Sequence, residues 1–386
     1  MMMRSKSRLS GGKQWYNHLV QKDTDIQIHI SSSPEDKDWD DYLAQTSGGS
    51  HIQTTKWAQV KAQLGWRAWR VFATDNRKII GGAQMLLRPL ALGLSIGYVP
   101  RGPVMMNFQP KLAQQIVNTL KKVAGHEKCL MLSIQPPQNG QSFSALLQKN
   151  QFTPSSLEVA PTATVLIDLT PEPDEILARM KRGTRYNIGL SSRKDITIDE
   201  GDQQALKEFY KLLRMTSKRQ NFKIFPMEYF KGMWDSFDMD GNIKLFLAKY
   251  NTQVVSAQLA IAFGDTVVNK WTVWSGQHAK LRPNEGLIWG VMQWAKAQGY
   301  RYYDLEGIER EAAERILRDE DLPKSMKATV SHFKLGFGGD VVLFPPSYTF
   351  VPNPFAKWVY RNLIDRGTIP PAVQSVLDHI RTTDNQ

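Results

Sequence analysis

Cysteine is almost absent from this 386-residue chain: Cys129 stands alone, which excludes a disulfide framework and a thiolate zinc site. The seven histidines show no close metal-ligand spacing, so no metal is expected. Long apolar runs are missing too. The longest, between Pro89 and Pro100, is far too short to span a bilayer. The basic N-terminus carries no apolar stretch of the kind a secretory leader needs, which predicts a cytoplasmic protein. The usual phosphate cradles are absent: there is no G-x-x-x-x-G-K-[ST] loop and no strand–G-x-G-x-x-G–helix unit. The glycine-rich run Gly336–Gly339 precedes a strand rather than a helix. No G-x-S-x-G nucleophile elbow occurs either.

What is present is a globular composition, 41% hydrophobic and 22% charged, with a net charge of +12. Such an excess favours a polyanionic partner: nucleic acid, an anionic membrane surface or a phosphorylated substrate. The excess has a focus. Arg179–Lys194 holds Arg179, Lys181, Arg182, Arg185, Arg193 and Lys194, with Tyr186 among them and no acid. Like charges on one segment repel, and a phosphate backbone rewards their clustering by releasing counterions. A solvated helix face is the plain alternative.

Along the chain, residues 1–24 read as a tail, followed by two α/β units at 25–160 and 161–345. Residues 346–386 read as a C-terminal segment docking on the body, with Trp358 and Tyr360 near Lys357 and Arg361. In the first unit a helix is expected at Trp57–Leu64, a hairpin at Ala68–Ala73 and Ile79–Leu87 around Asp75-Asn76, a helix at Leu112–Val123 and a strand at Cys129–Ile134. The second unit repeats the order. Leu245–Tyr250 and Val254–Phe263 form a hairpin and Val267–Trp274 a strand. A helix at Leu287–Gln298 follows the turn-like Pro283–Gly286, and a strand at Tyr300–Leu305 follows Gly299. Gly82-Ala83-Gln84-Met85 and Ser256-Ala257-Gln258-Leu259 fall at matching hairpin positions, which argues for internal duplication. Between the units, Thr170-Pro171 reads as a helix start and Gly183-Thr184 as the break before a second helix.

The hairpin–helix–strand order resembles the GNAT acyltransferase fold, but the usual coenzyme A loop is missing from both halves, so no cofactor is expected. Several segments, in order, resemble the Fem (FemABX) family of aminoacyl-tRNA-dependent transferases that build peptidoglycan bridges. They are W-A-Q-V-K (57–61), Y-V-P-R-G-P-V (98–104), K-R-G-T-R-Y-N-I (181–188), P-M-E-Y-F (226–230), G-Y-R-Y-Y-D-L-E-G-I (299–308) and F-K-L-G-F-G-G (333–339). The resemblance implies an α/β (α+β) fold of two tandem GNAT-like domains. Gln203–Asp240 has room only for ordinary helices, so the long helical arm of some members is not expected. The implied partners are an aminoacyl-tRNA donor and a lipid-linked or UDP-linked muropeptide acceptor, with peripheral contact at the inner membrane surface.

Residue by residue, the resemblance ties Phe333-Lys334 to the tRNA terminus and the transition state, where an ammonium can stabilise an oxyanion. The plain alternative for Lys334 is a surface lysine on a strand. Lys61 and Arg101 match acceptor-phosphate and groove positions, a solvated helix residue being the equal alternative for Lys61. Tyr229 and Trp274 match the acceptor site, a core-edge tyrosine being the equal alternative for Tyr229 and Trp274 standing where a tyrosine is expected. Lys181, Arg182, Arg185, Arg193 and Lys194 form the tRNA-binding set. Asp304 can orient or deprotonate the attacking amine, although positioning alone can suffice for a reactive ester and a structural role is preferred. Gln135 occupies the strand-end position where compact members carry an acid, and Glu306 stands where glycine is usual. Two other readings stay open: a GNAT-type transferase with another acyl donor, and a non-catalytic tRNA- or RNA-binding protein.

Overall fold

A computed structural model describes residues 26–155, 160–352 and 357. The expected N-terminal tail and Trp358, Tyr360 and Arg361 lie outside the described residues.

The first unit runs β1 (Gln27–Ser31), α1 (Lys37–Gln45), α2 (Thr55–Ala62), β2 (Arg67–Asp75), β3 (Lys78–Pro89), β4 (Ser95–Val99), β5 (Val104–Met105), α3 (Pro110–His126), β6 (Cys129–Ile134), α4 (Gln141–Lys149) and β7 (Thr153–Pro154). The second runs β8 (Ala163–Asp168), α5 (Pro173–Arg179), α6 (Arg182–Arg193), β9 (Ile196–Gly201), α7 (Leu206–Gln220), α8 (Met227–Asp238), β10 (Ile243–Tyr250), β11 (Gln253–Phe263), β12 (Thr266–Trp274), α9 (Pro283–Ala297), β13 (Tyr302–Asp304), α10 (Arg310–Leu317), α11 (Val330–Lys334) and β14 (Asp340–Leu343). The chain then returns to the first sheet as β15 (Tyr348–Phe350).

Each unit is a mixed sheet, ordered β1-β2-β3-β4-β6-β15-β7 and β14-β8-β13-β12-β11-β10-β9. The duplication is visible in the strand directions. In each half an antiparallel meander (β2-β3-β4, β10-β11-β12) feeds a helix (α3, α9) and then a strand parallel to the meander's last (β6, β13). This is the GNAT-like arrangement, present twice. Gln84 and Gln258 occupy the second strand of the two meanders, and both are fully buried.

Local chemistry explains the elements. In α3, Leu112, Ile116, Leu120 and Val123 recur at helical spacing and are buried, with Pro110 opening the helix where no N–H partner is needed. The β2–β3 hairpin turns at Asn76-Arg77, both with positive φ, one residue later than the sequence suggested. The helix starts also shift. α5 begins at Pro173 rather than Pro171, because Asp174 and Glu175 then sit in its first turn. Gly183 and Thr184 lie inside α6; the break falls at Met180-Lys181, whose backbones are extended. Pro283–Gly286 is the first turn of α9, not a turn before it.

A core containing Trp57, Ile96 and Tyr98 from the first half and Phe209, Phe230 and Trp271 from the second is continuous across the halves. Gln203–Asp240 supplies α7 and α8, of 15 and 12 residues, to this core, so there is no long helical arm among the described residues.

Candidate active site

In both halves the parallel pair ends where chemistry-bearing residues begin, the position at which open α/β sheets expose a crevice. The β4–β6 pairing stops at Val99–Ile134, and Arg101 and Gln135 follow. The β12–β13 pairing stops at Val268–Asp304; Lys270 lies just beyond on β12, and Glu306 follows β13. Glu306 and Gly307 both have positive φ, which turns the chain sharply.

These residues meet in a buried junction. Lys270 Nζ pairs with Glu306 Oε1 at 2.8 Å, both side chains almost solvent-free. Lys270 also lies 5.0 Å from the ring of Trp57, in the first half, and Lys61 Nζ lies 4.9 Å from the same ring. Arg101 is 5% exposed and stacks 4.0 Å from Phe344. Its Nε and Nη2 have no hydrogen-bond partner among the described residues. Burial pushes the Glu306 carboxyl above the usual range, opposed by the positive charges of Lys270 and Arg101. His51 is held well below its ordinary value by burial and by the same two cations, so it stays neutral.

Lys334 ends α11 and is 8% exposed, so the alternative of a surface lysine on a strand is wrong. Its ammonium donates to the carbonyls of Glu306 and, at 2.8 Å, of Gly307. Burial lowers its pKa to about 8, against the raising influence of Glu306 and Asp304. Among the described residues, two of its three donors are used. Asp304 accepts from Thr164 Oγ1 and, at 2.8 Å, from the Glu306 N–H. It therefore shapes the turn that holds Lys334. Gln135, fully buried, donates weakly to Pro161 O at 3.4 Å, and its Oε1 has no partner among the described residues. Pro161 also borders Gly307, which brings the ends of β6 and β13 together.

The basic run begins beside this junction. The Lys181 N–H donates to Gly336 O at 2.9 Å, and a Cβ on Gly336 would come 2.5 Å from Thr184 Oγ1. Gly338 and Gly339 have positive φ and leave no room for a Cβ against Arg179 O (2.7 Å) and Leu166 O (2.6 Å). The glycine-rich run thus seats the Lys334 segment tightly against α5 and β8. Lys181, Arg182, Arg193 and Lys194 are exposed. Arg185 is exposed too, but its Nη1 donates to Ala178 O at 3.1 Å and to Met180 O, capping α5. Burial, with the charges of Lys181 and Lys327, lowers the pKa of His332, so positive charge extends around this end of α6.

The structure does not gather every candidate. Phe333 packs on Phe337 at 5.3 Å, against the core of the second half. Tyr229 is 1% exposed and sits among Phe225, Phe230 and Trp271 in the shared core, rather than lining an accessible surface. Trp274 lies farther along β12, with Arg219 4.8 Å from its ring. Lys270 and His51 were not singled out by sequence. The polar pair Asn269-Lys270 inside a mostly apolar strand was the available signal for the former.

The first half, residues 35–157, matches the model of the FemAB family, and residues 178–314 match an acetyltransferase (GNAT) domain. A lipid II:glycine glycyltransferase of Staphylococcus aureus is 24% identical over 339 residues, covering 84% of this chain and 75% of that protein. Among solved structures, FemX superposes with a TM-score of 0.74 at 18% identity, over 87% of this chain and 99% of that one. A tandem GNAT protein from the clavulanic acid pathway gives 0.51 at 10% identity, over 85% and 99%. Two GNAT-like halves, together with these matches, support a member of the Fem family with aminoacyltransferase activity.

Proposed function

We propose that this enzyme transfers an amino acid from an aminoacyl-tRNA to an amine of a peptidoglycan-precursor stem peptide, on a lipid-linked or UDP-linked muropeptide. The donor ester would lie along α6 with its carbonyl at Lys334. The one free N–H of that ammonium would meet the oxyanion as the acceptor amine attacks, and the ribose hydroxyl would leave as the amide forms. Glycine is the residue named for the staphylococcal relative, and lipid II its acceptor; glycine and lipid II are the first choices here.

The observation that carries the proposal is Arg101. A guanidinium 5% exposed with two nitrogens unpartnered among the described residues is costly unless an anion completes it. A substrate phosphate at the acceptor's glycosyl end supplies that anion, and a planar guanidinium can bind it bidentately. Lys61 and Lys270, grouped on Trp57, add charge to the same junction.

The test is incubation with bulk charged tRNA and either lipid-linked or UDP-linked precursor, followed by mass spectrometry of the acceptor. A parallel arm with acetyl-CoA as donor separates this reading from ordinary GNAT chemistry. Acceptor mass unchanged with every charged tRNA would refute it.

A further inference from the structure

The helices α6 and α9 touch along glycines: a Cβ on Gly286 would come 2.1 Å from Ser191 Oγ. Asn187 Nδ2 ties to Glu285 Oε1 at 2.9 Å and locks the pair together. Toward solvent they part around a cavity of about 440 Å³. Its walls include Gly189 and Ser192 of α6 and Trp289, Gly290 and Gln293 of α9, with Arg185 at its edge. This is the size of a small-ligand site.

Two observations point to an occupant. Ser191 also lines the cavity and is 1% exposed, yet its hydroxyl has no hydrogen-bond partner among the described residues. A buried hydroxyl left unpaired is destabilising unless a ligand or water completes it. Trp289, half-buried, forms an aromatic wall beside these hydroxyls and the Gln293 amide. An aromatic face with a few polar groups is the chemistry that holds an unpaired base of a single strand. The cavity opens on the flank of α6, whose first residues abut the Lys334 segment.

We propose that the cleft between α6 and α9 takes an unpaired base of the RNA donor, near but not at the esterified nucleotide. The base stacks on Trp289, and its edge meets Ser191, Ser192 and Gln293. This inference rests on the reading of α6 as the RNA-binding helix.

The experiment compares the full chain binding an uncharged tRNA with the same RNA carrying abasic nucleotides in its unpaired 3′ end, which keeps every phosphate. Wild-type protein should prefer the natural end by about tenfold or more, the scale of one stacked base. Trp289→Ala should lose most of that preference while its salt dependence stays unchanged. Ser192→Phe, which fills the mouth from an exposed position, should do the same without touching the core. If both variants keep the wild-type preference, the cleft holds no base. Equal binding of both RNAs by wild type would overturn it as well. If neither RNA binds at all, the RNA reading of α6 fails and this inference falls with it.

Discussion

Replacing Lys334 by methionine separates the chemistry of its ammonium from its packing. In the folded protein the ammonium donates to two carbonyls, and on the proposed reading its third N–H meets the substrate. Losing one donor aimed at an oxyanion costs roughly 100- to 1,000-fold in turnover. Stability moves differently. Burial brings the pKa from 10.5 to about 8, so the folded state disfavours the charged form. At about 1.4 kcal/mol per pH unit, that penalty is about 3 kcal/mol and is fully present below pH 8. Between about pH 8 and 10.5 the unfolded chain binds more protons than the folded one, so stability contributed by this site rises with pH. Lys334→Met removes the penalty but leaves two carbonyls without a donor, at about 1–3 kcal/mol each. The two effects oppose, and the variant should fall within about 3 kcal/mol of wild type at pH 7. Urea unfolding from pH 7 to 10 should then show wild type gaining about 3 kcal/mol relative to the variant. In single-turnover transfer, read by mass spectrometry, the wild-type rate should fall above about pH 8 as the ammonium deprotonates. The variant's residual rate should lack that limb. Lys334→Arg should rescue little, because a planar guanidinium does not fit between two carbonyls that hold a compact ammonium. Undiminished transfer by Lys334→Met, or a stability difference flat with pH, would refute this account.

The exposed cations of α6 should act through phosphates: neutralising Arg182, Arg193 and Lys194 together should flatten the salt dependence of tRNA binding by roughly 1 in log–log slope per lost contact. Arg185→Ala should instead lower the melting temperature with little change in that slope, since its guanidinium caps α5. Arg101→Met should raise KM for the acceptor more than it lowers kcat, measured by initial rates; a pure kcat loss would argue against a phosphate ligand. Lys270→Met or Glu306→Gln alone should destabilise by about 3–5 kcal/mol by stranding a buried partner, and the double replacement should recover much of this in urea melts. Additive losses would show that the two do not act as a pair.

Much of the architecture is written locally. Alternating apolar strands, Asn-bearing hairpin turns and the 3.6-residue spacing of α3 and α7 depend on neighbours in the sequence, so both halves and their repetition could be read before any tertiary contact was known. The charge of α6 was legible for the same reason. The start of α5 slipped by two residues because two prolines, Pro171 and Pro173, compete for it and only the register of the first-turn acids chooses, while α9 starts four residues earlier than expected, at Pro283.

The site belongs to the other class. Lys270 and Glu306 are 36 positions apart and pair only because each lies two residues past the last β12–β13 register pair, Val268–Asp304. Trp57 reaches Lys270 because a single core joins the halves, and Arg101 influences Glu306 across that same junction. Arg185 looked interchangeable with its neighbours, yet folding commits it to two carbonyls. Lys334 was pointed out as a site residue by the sequence, with a surface lysine left open as the alternative. Its burial, and hence its pKa of about 8, comes from the turn at Glu306-Gly307, whose carbonyls only the closed fold delivers to it. Local sequence sets which segments are strand, helix or cation-rich; desolvation and long-range pairing decide which of those charges are paired, spent or poised to react.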